Sequence, residues 1–137
     1  TGMKKKLEQK KYIHVSIDTF RVDIAVFVNH TFEEAVTYSK RTKKLHRLAE
    51  YLEECDSENL LEGANEGIMY PLKQGYAVFL RLEKDNYRKN IGLISHEVSH
   101  LVSFILLDKR IPLSKETDEV YAYLTEEIML KILYGWY

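Results

Sequence analysis

The sequence predicts an α+β fold, with a small, mostly antiparallel sheet and about three helices. Two kinds of observation lead to this prediction. Short stretches alternate apolar and polar residues with the period of a strand, and longer stretches repeat apolar residues with the period of a helix. The 137 residues contain no internal repeat and no Pro/Gly-rich linker, and that length suits one hydrophobic core. We therefore expect a single domain over residues 3–137.

The first half of the chain predicts a strand pair followed by a helix. Residues 11–19 and 22–29 are rich in β-branched and aromatic residues, and the two residues between them suggest a tight turn. Thr31 and Glu34 then form the capping-box signature of a helix N-terminus. An amphipathic pattern continues from there to about Cys55, which predicts one long helix.

The second half repeats this order. Residues 56–67 are typical of a loop, and they precede two predicted strands at 68–70 and 75–82. A helix is predicted from Asn90, a plausible N-cap, to Asp108, and a last helix over residues 115–134. The predicted order is therefore β-β-α-β-β-α-α.

Composition and charge favour a cytoplasmic protein without nucleic-acid or membrane partners. The formal net charge of -1 gives no electrostatic reason to bind nucleic acid or an anionic membrane. No continuous apolar run of 18 residues exists, and the first residues lack the apolar stretch of a signal peptide. Cys55 is the one cysteine, which suggests a reducing compartment, and its acidic neighbours disfavour a nucleophilic thiolate. The oligomeric state is not predicted.

The residues His96-Glu97-Val98-Ser99-His100 form an H-E-x-x-H motif inside an apolar, helix-patterned stretch. Side chains at i and i+4 lie on the same face of a helix, so both imidazoles can bind one Zn²⁺ ion. Glu97 can then act as general base toward a metal-activated water. The alternative is that the two histidines only pack at the edge of a core and bind no metal.

A catalytic zinc usually has three protein ligands, so a third one is needed. Glu119 follows His100 by 19 residues, which is enough to finish one helix, turn, and start the next. Its place near a helix N-terminus is also favourable for a carboxylate, so this position alone does not prove a ligand. We predict Glu119 as the third ligand, with four competing carboxylates: Glu116, Asp118, Glu126 and Glu127.

This arrangement resembles the gluzincin zinc metallopeptidases, which include the thermolysin-like enzymes. In those enzymes the third ligand is the Glu of an Asn-Glu pair, and Asp118-Glu119 is similar to that pair. The segment Thr117 to Leu124 is also loosely similar to the second motif of the ImmA/IrrE-like peptidases. The resemblance covers about residues 75–130 and extends to small metallopeptidase-like proteins of phages and prophages. It implies a minimal zincin-like fold and a substrate-binding strand at 75–82.

Two departures from the family pattern stand out. Thermolysin-like enzymes carry an Asp four residues after the third ligand, where it orients a ligating His, and Tyr123 stands there instead. No residue can be assigned to oxyanion stabilisation. The candidates are four tyrosines, each of which also suits a packed core: Tyr76, Tyr121, Tyr123 and Tyr134.

The sequence therefore predicts an enzyme, a zinc-dependent metallopeptidase that hydrolyses a peptide or protein substrate with Glu97 as general base. The alternative is a zinc-binding but catalytically inactive interaction module. The small size of the chain and the missing Asp favour that alternative, whereas the presence of Glu97 argues against it.

Overall fold

A computed structural model describes residues 9–55 and 66–137, so residues 1–8 and most of the predicted loop 56–67 lie outside the described residues. Over these ranges the protein is α+β, with a mixed four-stranded sheet and four α-helices. In chain order the elements are β1 Lys11–Ile17, β2 Val22–Val28, α1 Phe32–Arg41, α2 His46–Glu53, β3 Gly67–Pro71, β4 Tyr76–Leu80, α3 Tyr87–Asp108 and α4 Asp118–Trp136.

The sheet has the strand order β1-β2-β4-β3. The predicted hairpin is confirmed: β1 and β2 pair antiparallel around a short 3-10 turn that ends at Arg21, whose φ of 52° is left-handed. β3 and β4 form a second antiparallel hairpin, and β2 and β4 join the two hairpins in parallel. β4 is thus an interior strand, whereas β1 and β3 are the edges of the described sheet.

Both faces of the sheet are covered by helices. One face carries Val15, Ile24 and Val78 and packs against α3 and α4, forming the larger hydrophobic core. The other face carries Phe27 and Phe79, whose stacked rings lie 5.3 Å apart beneath α1 and α2. Because β2 and β4 are buried on both faces, they contain nearly continuous apolar runs rather than alternation.

The prediction of one helix from Thr31 to Cys55 is wrong at its centre. The capping box is present, since Thr31 Oγ1 accepts from Glu34 N at 3.1 Å and Thr31 N donates to Glu34 Oε1 at 2.9 Å. However, α1 ends at Arg41, and Thr42 is extended at φ -102° and ψ 113°. Thr42 is β-branched and lies within a run of four cations, and neighbouring like charges disfavour continued helix.

The start of α3 also differs from the prediction. Asn86, rather than Asn90, is the N-cap, and its side chain accepts from Lys89 N at 3.2 Å. Asn90 lies inside the helix and is fully buried. Its amide accepts from Glu83 N and donates both to the Glu83 carbonyl and to Tyr137 Oη. Asn90 therefore fastens the first turn of α3 to the preceding loop and to the end of α4.

Helix α3 is the core helix that carries the H-E-x-x-H motif. Within the described ranges it is the one helix long and apolar enough to cross a membrane by length and composition, although no continuous apolar run was found in the sequence. A core helix meets the same criteria. Ile94, Val98 and Leu101 are fully buried against the sheet, which accounts for the apolar character of this helix.

Candidate metal centre

The two histidines of the motif lie together on the exposed side of α3. Their Nε2 atoms are 3.3 Å apart, and the ring planes are inclined by 82°. The i, i+4 spacing places both side chains one turn apart on one helix face, as the sequence predicts. The structure therefore brings the Nε2 atoms of His96 and His100 close enough to face one shared ligand.

The separation of the histidine nitrogens fits a shared zinc ion. Two ligands at Zn–N distances of about 2.0–2.1 Å and a tetrahedral angle have their nitrogens about 3.3–3.4 Å apart. The observed Nε2–Nε2 distance of 3.3 Å matches this value. The same separation also allows one imidazole to donate a hydrogen bond to the other. The donor chemistry and the spacing of this pair thus suit zinc.

Glu97 lies beside the pair, but points inward. Its side chain is only 5% exposed and packs against β3, where an added Cβ on Gly67 would come within 2.9 Å of Glu97 Cγ. Only a glycine leaves room for this approach. Burial raises the pKa of the Glu97 carboxyl, and the nearby charges of His96 and His100 partly oppose that effect. A raised carboxyl pKa suits proton transfer near neutral pH.

Glu119 is exposed in the first turn of α4, as its sequence position predicts. However, the structure does not bring it together with the histidine pair. In the chain outside residues 1–8 and 56–65, no three His, Cys, Asp or Glu side chains form a group that could hold a metal. The assignment of Glu119, or of Glu116, Asp118, Glu126 or Glu127, as third ligand stays a prediction.

The remaining histidines have ordinary structural surroundings. His14 Nε2 lies 2.8 Å from Asp23 Oδ1 on the surface, and His46 is exposed in α2. His30 is buried, and its Nδ1 lies 3.0 Å from the Val28 carbonyl. Cys55 is half-buried, and burial, with a smaller effect of Glu54, raises the pKa of its thiol, so a thiolate is disfavoured as expected.

Two of the four candidate oxyanion tyrosines have structural roles. Tyr76 packs in the larger core, and the Tyr121 hydroxyl donates to the Ile111 carbonyl at 2.7 Å. Tyr123 and Tyr134 are exposed on α4. The oxyanion-stabilising group therefore remains unassigned.

The sequence reasoning missed the contribution of β3 to this site. Gly67 and Glu97 are 30 positions apart in the sequence, so no local pattern indicates their contact. The one available signal was the glycine at the start of the short Ile68-Met69-Tyr70 run, since a glycine in a strand can mark a close approach.

Comparison with known proteins finds no matching family model, no similar curated protein and no similar solved structure. The resemblance to the gluzincins therefore rests on the H-E-x-x-H motif and its spacing alone.

Proposed function

We propose that this protein is a zinc-dependent metallopeptidase. The observation that supports this most strongly is the histidine pair: His96 and His100 lie on one helix face with Nε2 atoms 3.3 Å apart. The buried Glu97 lies between this pair and an edge strand. This combination suits hydrolysis better than a structural zinc site, which more often uses Cys ligands and needs no base.

His96 and His100 would hold the zinc, with Glu119 as the proposed third ligand. When bound, zinc supplies a Lewis acid that polarises a carbonyl and acidifies water. Glu97 takes a proton from the attacking water and delivers it to the departing amine nitrogen. Burial raises the pKa of Glu97, which makes it a better base and lets it carry that proton between the two steps.

The substrate would be held by β3 rather than by the strand at 75–82. β4 is paired with β2 on one side and with β3 on the other, so it has no free edge for a peptide. β3 is paired on one side only within the described residues, and Gly67 at its start contacts Glu97. An extended peptide added to β3 by backbone hydrogen bonds would pass close to the general base.

Zinc dependence of peptide hydrolysis tests this proposal. The purified protein is incubated with a quenched-fluorescence peptide library before and after removal of metal by a chelator. We expect hydrolysis that is lost with the chelator and restored by added Zn²⁺ but not by Mg²⁺, because imidazole ligands favour zinc. If the protein binds zinc and yet hydrolyses no peptide in the library, the inactive interaction module is the better description.

A further inference from the structure

A large cleft lies at the end of the sheet where β3 turns into β4. Its volume is about 1260 Å³, and it is lined by parts of β1, β2 and α2, by the turn at residues 72–75, and by the C-terminal end of α3. His96 and His100 do not line it. It is thus separate from the candidate metal centre.

The lining of the cleft is cationic and aromatic. Two carboxylates line it, Asp23 and Asp108, and Asp23 is already within hydrogen-bond distance of His14. Five cationic side chains also line the cleft: Arg21, Lys44, Arg47, Lys73 and Lys109. The walls between them carry five aromatic rings: Tyr12, Tyr38, Tyr51, Tyr76 and Phe104. The volume of the cleft exceeds the range of about 300–1,000 Å³ typical of small-molecule pockets, so a peptide segment suits it better than a small molecule. The excess of cations favours an anionic segment.

A continuous surface connects the histidine pair to this cleft. On a helical wheel His96, His100, Phe104 and Leu107 fall within a sector of about 80°. Phe104 and Leu107 are 46% and 61% exposed and line the cleft. β3 runs in the same direction, since Gly67 contacts Glu97 and Pro71 lines the cleft. From Gly67 to Pro71 there are four steps of about 3.3 Å each, so an extended peptide covers the same distance in about four residues.

We propose that this cleft binds an acidic, aromatic-containing segment of the substrate protein, beginning about four residues from the scissile bond. The proposal rests on the proposed peptidase function, because it assigns the scissile bond to the histidine pair. The cations attract the acidic side chains, and the exposed rings pack against apolar or aromatic ones. The enzyme would thereby select its substrates by a segment remote from the reacting bond.

Binding is tested separately from hydrolysis. The probe is a fluorescein-labelled peptide of alternating Glu and Tyr, and its counterpart has Gln in place of Glu. Anisotropy is measured with the Glu97→Gln protein, so that the probe stays intact. We expect the Glu peptide to bind more tightly than the Gln peptide, and its affinity to fall as the salt concentration rises. The double variant Arg47→Glu/Lys73→Glu should weaken binding by roughly tenfold.

The matched control is Lys84→Glu/Arg88→Glu, which changes the charge equally at exposed positions outside the cleft. It should change the affinity by less than about twofold. Equal weakening by both double variants, equal binding of the Glu and Gln peptides, or tighter binding of an oligothymidylate of matched charge would each overturn the proposal. The last result would indicate a nucleic-acid site instead.

Hydrolysis then tests the distance from the scissile bond. Two peptide libraries carry the Glu-Tyr block either directly beside the randomised cleavable residues or four residues away from them. We expect higher kcat/KM for the separated block, and Arg47→Glu/Lys73→Glu should remove the difference. Hydrolysis with no preference between the libraries would contradict the cleft proposal alone. Selective binding of the Glu peptide without hydrolysis of either library would contradict the peptidase proposal and leave the cleft as a binding site for an acidic segment.

Discussion

Glu97→Gln is expected to lower kcat for peptide hydrolysis by about 10²–10⁴-fold, the usual contribution of general acid–base catalysis. Gln has nearly the same shape as Glu but cannot accept and release the proton. The packing against Gly67 should persist, because the side chain occupies the same buried space. The measurements are kcat on a peptide substrate and zinc content of the same sample.

The control is Glu50→Gln, on the exposed surface of α2 and far in sequence from the motif. It should leave both kcat and zinc content near those of the wild type. Because Glu97 is not a predicted ligand, Glu97→Gln should retain zinc. A Glu97→Gln protein that hydrolyses peptides at the wild-type rate would contradict the role of Glu97 as general base.

Gly75→Ala is expected to destabilise the fold by about 3 kcal/mol, from a strained backbone and a steric clash. Gly75 lies in the turn between β3 and β4 at φ +82°, a conformation that L side chains rarely adopt. An added Cβ would also come within 2.3 Å of the Asp23 carbonyl oxygen, which belongs to the neighbouring β2. The backbone must therefore shift where β2 and β4 begin to pair.

Gly92→Ala is the matched control for that substitution. Gly92 lies on the exposed side of α3, and an added Cβ would meet nothing within 4 Å. Since Ala has the higher helix propensity, we expect a gain of about 0.5–1 kcal/mol. Urea unfolding of the three proteins gives both values. A Gly75→Ala protein as stable as the wild type would mean that the turn does not have this conformation.

The elements of the fold were largely predictable because their signals are local. The alternation in residues 11–19 and the capping box at Thr31 and Glu34 each depend on neighbours in the sequence. The break at Thr42 and the N-cap at Asn86 were not predicted. At Thr42 the apolar pattern continues across the break, so it does not show where the helix ends. At the start of α3 both Asn86 and Asn90 suit an N-cap, and the contacts of Asn90 with Glu83 and Tyr137 decide between them.

Strand order could not be predicted from local patterns. The sequence places β3 and β4 next to each other, but it does not indicate which of them pairs with β2. The structure pairs β4 with β2 in parallel, leaving β3 at the edge. That choice reassigns the proposed peptide-binding strand from residues 75–82 to Gly67–Pro71.

The candidate site likewise has parts that the sequence predicts and parts that depend on tertiary packing. The proximity of His96 and His100 follows from their spacing on one helix, so the sequence alone was enough to predict it. The position of Glu119 depends on how α4 packs relative to α3, and sequence separation does not determine that packing. The contact of Gly67 with Glu97 and the cationic cleft join segments distant in the chain, so only the folded structure reveals them.

The most direct test of the proposed function is the zinc content of the purified protein and of its His96→Ala variant, measured by elemental analysis after incubation with Zn²⁺ and dialysis. We expect about one zinc per chain in the wild type and a loss of zinc in His96→Ala. Measuring Glu119→Ala alongside identifies the third ligand, because loss of zinc there supports Glu119 and retention moves the role to another carboxylate. A wild-type protein that holds no zinc would contradict the metallopeptidase proposal.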